Sequence, residues 1–237
     1  MQSMTPRYLG LLGGMSWEST AEYYRLINTA VAARRGGLHS APLLIHSIDF
    51  AVMAQLQEQD DWTGAGALLA DAARGLEQAG ARALVLCTNT MHYVAPAIER
   101  AVSIPLLHIV DVTGAALQAA GVRRAGLLGT RYTMELPFWR ERLEARYGIE
   151  VVVPPEAQRA GVHRIIFEEL CRGIVDDGSR AEYVEVIEGL AGQGAEAVVL
   201  GCTEIGLLVG AADSPVPVFD TTALHVDAAV TFCLGDR

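Results

Sequence analysis

Short apolar runs bounded by Gly and Pro recur along the chain, and between them apolar residues return every three or four positions. The runs Tyr8–Gly13, Pro42–Ile48, Ala83–Cys87, Ile104–His108, Ala125–Gly129, Glu150–Val153, Ala195–Gly201 and Val216–Phe219 predict buried parallel strands, since a strand covered on both faces is apolar almost throughout. Tyr23, Tyr24, Ile27 and Val31, and again Leu68, Leu69, Ala72, Ala73 and Leu76, follow the helical period instead. Ser179 followed three residues later by Glu182 is a capping-box pattern and predicts a helix over 180–192. Strands alternating with amphipathic helices predict an α/β architecture with right-handed crossovers.

The pattern repeats. Gly10-Leu11-Leu12-Gly13 returns as Gly126-Leu127-Leu128-Gly129 at an offset of 116, and Ala83-Leu84-Val85-Leu86 as Ala197-Val198-Val199-Leu200 at an offset of 114. Ile104-Pro105 ahead of Asp111 resembles Val216-Pro217 ahead of Asp220. The chain therefore reads as two pseudo-symmetric parallel-sheet α/β domains, with an active site expected in the cleft between them. The first spans residues 1–113, completed by the C-terminal segment 217–237, and the second spans 114–216.

Composition narrows the chemistry. Among 237 residues there are 18 basic and 28 acidic side chains, a net charge of −10, and every basic residue is Arg. A chain without lysine has no Schiff-base residue for pyridoxal phosphate and no P-loop lysine, which removes both chemistries. Acidic charge without a basic cluster argues against nucleic acid and against an anionic membrane, leaving a small molecule as the expected partner. The stretch from Met1 to Met15 is interrupted by Gly10, Gly13 and Gly14, and it reads as a first strand rather than a signal peptide. A soluble, cytoplasmic protein is expected.

Extending the repeat places Thr88 opposite Cys202, Asn89 opposite Thr203 and Thr90 opposite Glu204, each just past a buried strand. If helices follow, their amide ends favour a carboxylate there and lower the pKa of a thiol, which makes Cys202 the leading candidate for proton transfer. Cys87 falls one residue earlier, on the opposite face of its strand, and reads as core. Cys171 and Cys233 lie in apolar helical patterns and read as core too. His92 reads as a structural residue, and the six scattered histidines suggest no metal cluster. Trp17 and Tyr24 read as core, with a subunit interface as the other possibility.

Three segments, Gly13-Gly14-Met15-Ser16-Trp17-Glu18-Ser19-Thr20, Cys87-Thr88-Asn89-Thr90-Met91-His92 and Gly201-Cys202-Thr203-Glu204-Ile205-Gly206, together resemble the aspartate/glutamate racemase superfamily over essentially the whole chain. The likeness is greatest to its L-aspartate/glutamate-specific branch, in which threonine replaces the first catalytic cysteine. The resemblance implies a cofactor-independent amino-acid racemase in which Cys202 and Thr88 act on opposite faces of the substrate α-carbon. It further implies substrate contacts from the Met15 main chain, Gln57, Asn89 and Thr90, and a homodimer. Thr203 and Glu204 are candidates for holding the ammonium group or assisting Cys202. The lysine with which acidic-substrate members bind a carboxylate corresponds here to Gly161, and the segment Asp49–Met53 lacks the arginine that many members carry. His163 or Arg164 are the candidate substitutes. Two alternatives remain at this level: a single-cysteine decarboxylase or isomerase of the same fold, and a catalytically silent amino-acid-binding protein.

Overall fold

A computed structural model describes residues 7–235 of the chain. Each predicted strand is present: β1 Tyr8–Gly13, β2 Leu43–Ser47, β3 Ala81–Leu86, β4 Leu106–Leu107, β5 Arg124–Gly129, β6 Glu150–Val152, β7 Ala197–Gly201 and β8 Val218–Asp220. They form two parallel sheets, ordered β2-β1-β3-β4 and β6-β5-β7-β8. The helices are α1 Trp17–Arg35, α2 Phe50–Glu58, α3 Trp62–Gln78, α4 Ala95–Ala101, α5 Ile109–Ala119, α6 Arg131–Glu135, α7 Phe138–Tyr147, α8 Glu156–Glu168, α9 Asp177–Gly192 and α10 Thr221–Leu234. No described helix is long and apolar enough to cross a membrane.

The chain divides into two compact units at His108/Ile109 and at Leu224/His225. These points differ from the expected boundaries after 113 and 216. Strand β8 pairs with β7, so 217–220 lie in the second sheet, and only the later part of α10 belongs to the first unit.

Alternation along each strand builds two cores per unit. In the first, Leu12, Leu84 and Leu86 pack with α3 and α4 through Leu69, Ala73, Leu76 and Ile98. On the other face Leu9, Leu11, Ala83 and Val85 meet Tyr23, Ile27 and Val31 of α1 and Ala229 and Val230 of α10. In the second unit Leu128, Val198 and Leu200 pack with α8 and α9, while Leu127, Ala197 and Val199 pack with α5 and α7.

The duplication is visible in the register. Leu12 pairs with Leu86 as Leu128 pairs with Leu200, and Leu84 with Leu106 as Val198 with Val218. Pro105 accepts from the Leu84 amide at 2.8 Å, and Pro217 from the Val198 amide at 2.9 Å. Continuing that register sets Asp220 opposite His108, so Asp111 is not its counterpart. Asp111 lies in α5, bound by both Arg142 Nε and Nη2 at 2.6 Å.

The repeated glycines answer to close approach. A Cβ on Gly10 would lie 2.8 Å from Leu84 Cδ2 and 3.2 Å from Leu76 Cδ1, while one on Gly126 would meet Leu190 Cδ1 at 3.0 Å. Gly10→Ala should therefore destabilise the protein by about 1–3 kcal/mol through overpacking. A urea midpoint equal to or above that of the parent protein would contradict this account.

Helix α9 begins three residues earlier than its capping-box pattern implies. Asp176 is the N-cap, its side chain accepting from the Ser179 amide at 3.1 Å. Ser179 is already helical, and its hydroxyl donates to Glu169 Oε2 at 2.5 Å.

Candidate active site

The first signature segment is a braced turn at the carboxyl end of β1. Gly14 adopts φ +89°, and a Cβ there would collide with the Ile48 backbone. The Thr20 hydroxyl accepts from the Gly14 amide at 2.8 Å and donates to the Ser16 carbonyl at 2.9 Å. Gly13 leaves room for that Thr20 side chain. Ser16 caps α1 by accepting from the Ser19 amide at 3.2 Å. Glycines, serine and threonine thus hold the Met15 backbone at the strand end, with the Met15 side chain in the core.

Beyond β3 the chain enters a 3-10 turn over Thr90–Val94. Cys87 is fully buried with Leu9, Leu11 and Tyr23, and burial alone pushes its thiol far above the usual range. Thr88 is half-buried, and Asn89 and Thr90 are buried. The Thr88 backbone is held twice: its amide donates to Leu86 O at 2.8 Å, and its carbonyl accepts from His92 Nδ1 at 2.8 Å. Gln57, from α2, donates to Met91 Sδ at 3.0 Å and is thereby tied to the same turn.

In the second unit β7 leads into Cys202, Thr203 and Glu204, all half-buried, then a 3-10 turn over Ile205–Leu207. The elements after β3 and β7 are short turns, so neither supplies the helix end expected to acidify a thiol. The shift runs the other way. Burial pushes the Cys202 thiol well up, and the Glu204 carboxylate pushes it further by charge repulsion and by accepting from Sγ at 3.0 Å. Cys202 therefore rests as a thiol with a hydrogen-bonded acceptor in place. Tyr183, buried and donating to the Val162 carbonyl at 3.3 Å, is itself pushed well up, chiefly by burial and then by Cys202, Glu182 and Glu169.

The candidate substitutes for the missing lysine are otherwise engaged. Arg164 pairs with Glu169 at 2.8 Å and with Glu182 at 3.3 Å. His163 Nδ1 accepts from the Arg131 amide at 3.3 Å, and burial together with the Arg131 charge lowers its pKa. A Cβ on Gly161 would fall on the Glu182 carboxylate. Cys171 packs partly buried against the α8–α9 core, and Cys233 against the α1–α10 core. Trp17 and Tyr24 are both exposed, 67% and 51%, so neither is the core residue its spacing suggested.

Sequence reading missed the surroundings of His92. Its ring meets that of His108, centroids 4.6 Å apart, and that of His225 at 5.8 Å. These residues lie far apart in the chain, and no spacing pattern links them. Among the described residues no group of three His, Cys, Asp or Glu is arranged to hold a metal.

Several known proteins are similar to this chain. A Yersinia pestis protein named for the Asp/Glu racemases is 53% identical, with a TM-score of 0.91 over 96% of this chain and 99% of its own. An aspartate racemase homologue from Pyrococcus horikoshii is 33% identical, with a TM-score of 0.83 over 96% and 99% of the two chains. The broad specificity amino-acid racemase RacX of Bacillus subtilis is 26% identical over 165 residues, 70% of each chain. The sequence model for Asp/Glu/Hydantoin racemase matches residues 12–229, the span holding both strand-end segments and the braced turn, and the chain belongs to that racemase family.

Proposed function

We propose that this racemase inverts the α-carbon of an amino acid without a cofactor, Cys202 exchanging the α-proton on one face and Thr88 on the other. The observation carrying this reading is the matched register. Thr88 and Cys202 each stand two residues past a β-paired leucine, Leu86 and Leu200, in equivalent strands of equivalent sheets. Cys202 reacts as the thiolate, its thiol proton leaving through Glu204 to solvent. The thiolate then takes the α-proton, an S–H bond forms, and the electron pair of the broken C–H bond moves toward the substrate carboxylate. Thr88 supplies a proton to the opposite face, and its hydroxyl recovers one from water. A thiol with a raised pKa is a strong base once ionised, while a hydroxyl is a far weaker acid, so the Thr88 step is the slower one. The Met15 main chain, Gln57, Asn89, Thr90 and Thr203 hold the substrate carboxylate and ammonium groups.

The substrate side chain in this reading need not be acidic. Gly161 faces Glu182 rather than offering a cation, and Arg164 is committed to two carboxylates. The test is incubation with single enantiomers of aspartate, glutamate and a panel of neutral amino acids in deuterated water, with no cofactor added. Inversion accompanied by α-deuterium is expected, with at least one neutral amino acid turned over as well as aspartate. Thr88→Ala should lose about 10²-fold in inversion. No inversion across the panel would refute the reading, and carbon dioxide release from malonate-like acids would favour a decarboxylase.

A further inference from the structure

Resting on the racemase reading above, we propose that His92 is a positioning residue for Thr88, anchored by a buried cluster with His108, His225 and Tyr23. Thr88 has left the sheet, and one bond from a side chain fixes its carbonyl: His92 Nδ1 at 2.8 Å. A carbonyl only accepts, so Nδ1 carries the proton. His92 itself sits in the following 3-10 turn, its amide donating to the Asn89 carbonyl at 3.1 Å.

The ring is held from behind. His92, His108 and His225 are 1%, 4% and 0% exposed. His225 Nε2 donates to the Leu107 carbonyl at 2.6 Å, which leaves Nδ1 to accept from the Tyr23 hydroxyl at 3.0 Å. Leu107 belongs to β4, paired through Val85 with β3, the strand that delivers Thr88. Two imidazole N–H groups thus fix the main chain at the carboxyl ends of adjacent strands, with His108 packed edge-on against His92. Apolar rings would fill the same space without the cost of burying polar nitrogen, so the directed N–H bonds are what the histidines add. Proton delivery depends steeply on geometry, and a shift of about 1 Å at the donor costs on the order of 10²-fold.

The test uses the intact protein and an amino acid that it interconverts. His92→Phe keeps a ring and removes the N–H; His92→Asn keeps a donor near the Nδ1 position, and His92→Gln places one near Nε2. His92→Phe and His92→Gln should lower kcat for inversion 10- to 100-fold with KM little changed. His92→Asn should recover most of that loss. Exchange of α-hydrogen with solvent from the enantiomer deprotonated on the Cys202 face should persist in every variant, because that face is untouched. A protected imidazole N–H proton resonance should vanish in His92→Phe. Equal loss of exchange on both faces, unchanged inversion in His92→Phe, or His92→Asn no better than His92→Gln would overturn the proposal. Should His92→Phe fail to fold, the comparison of Asn with Gln still decides it. The underlying reading fails separately, if Thr88→Ala and Cys202→Ala both retain full inversion.

Discussion

Cys202→Ala should lower inversion about 10³-fold or more, with the fold intact. General acid–base groups contribute about 10²–10⁴-fold, and in the proposed mechanism Cys202 carries the proton on its face, so the loss belongs toward the upper end. Glu204, bonded to Sγ at 3.0 Å, is placed to receive the thiol proton. In the proposed mechanism the Cys202–Glu204 pair also sets how the rate depends on pH. Burial and then the Glu204 carboxylate raise the thiol pKa, so the thiolate is favoured only at higher pH. Glu204→Gln removes the carboxylate's share and should move the acidic limb of kcat/KM to lower pH, while slowing the reaction by removing the proton acceptor. An unmoved limb would show that Glu204 does not act on the thiol. Cys87→Ala is the control. Its thiol lies in the α1–α10 core, so inversion should survive the change even where stability falls. If Cys202→Ala retained inversion and Cys87→Ala lost it, the register placing Thr88 opposite Cys202 would be wrong.

That register was legible because it is written twice in short apolar words. Gly10-Leu11-Leu12-Gly13 and its copy fix β1 and β5, and the glycines recur because Leu76 and Leu190 press on equivalent points of the two sheets. Strands buried on both faces leave a strong local signal, so each was found to within a few residues. Endings were less legible. At the start of α9 two capping residues stand three apart, Asp176 and Ser179, and only the bond from the Ser179 amide to Asp176 decides between them. The last strand was assigned to the wrong unit for a similar reason. Pro217 and its neighbours carry the repeat, but only the pairing of β8 with β7 says which sheet they join.

The chemistry of the candidate site was half visible. The repeat register singled out Cys202 and passed over Cys87, yet the direction of the Cys202 shift was misread. A thiol after a strand was expected to meet a helix end, whereas it meets a three-residue turn and a carboxylate. Charge balance in a site depends on which side chains converge, and sequence spacing carries that only within one element. Glu204 is two residues away and was within reach of such reasoning. The histidine cluster was not: positions 92, 108 and 225 meet because β4 lies beside β3 and α10 returns to the first unit.

That cluster also makes stability depend on acid. His225 is fully buried, and burial lowers its pKa to about 4, against a smaller opposing contribution from its bond to the Leu107 carbonyl. The groups facing it are the Tyr23 hydroxyl, the Leu107 carbonyl and the His92 ring, which in turn meets His108. In the unfolded chain the same imidazole titrates near 6.5. Above that value His225 is neutral in both states and adds nothing to the pH dependence. As pH falls below about 6.5 the unfolded chain binds a proton that the fold refuses, so stability declines. The decline ends near pH 4, where the folded form accepts the proton too, and its full size is about 3 kcal/mol. Carboxylates titrate in part of the same window, so the parent protein alone cannot isolate the effect. His225→Gln removes the titrating group while leaving side-chain hydrogen-bonding atoms at the position. Urea unfolding at pH 7 and at pH 4.5 should show a smaller acid-induced loss in the variant than in the parent, by about 2 kcal/mol. The same change appearing in both proteins would mean that His225 takes up its proton without unfolding the chain. The neutral, hydrogen-bonded imidazole beneath the Thr88 turn would then not be what acid disrupts.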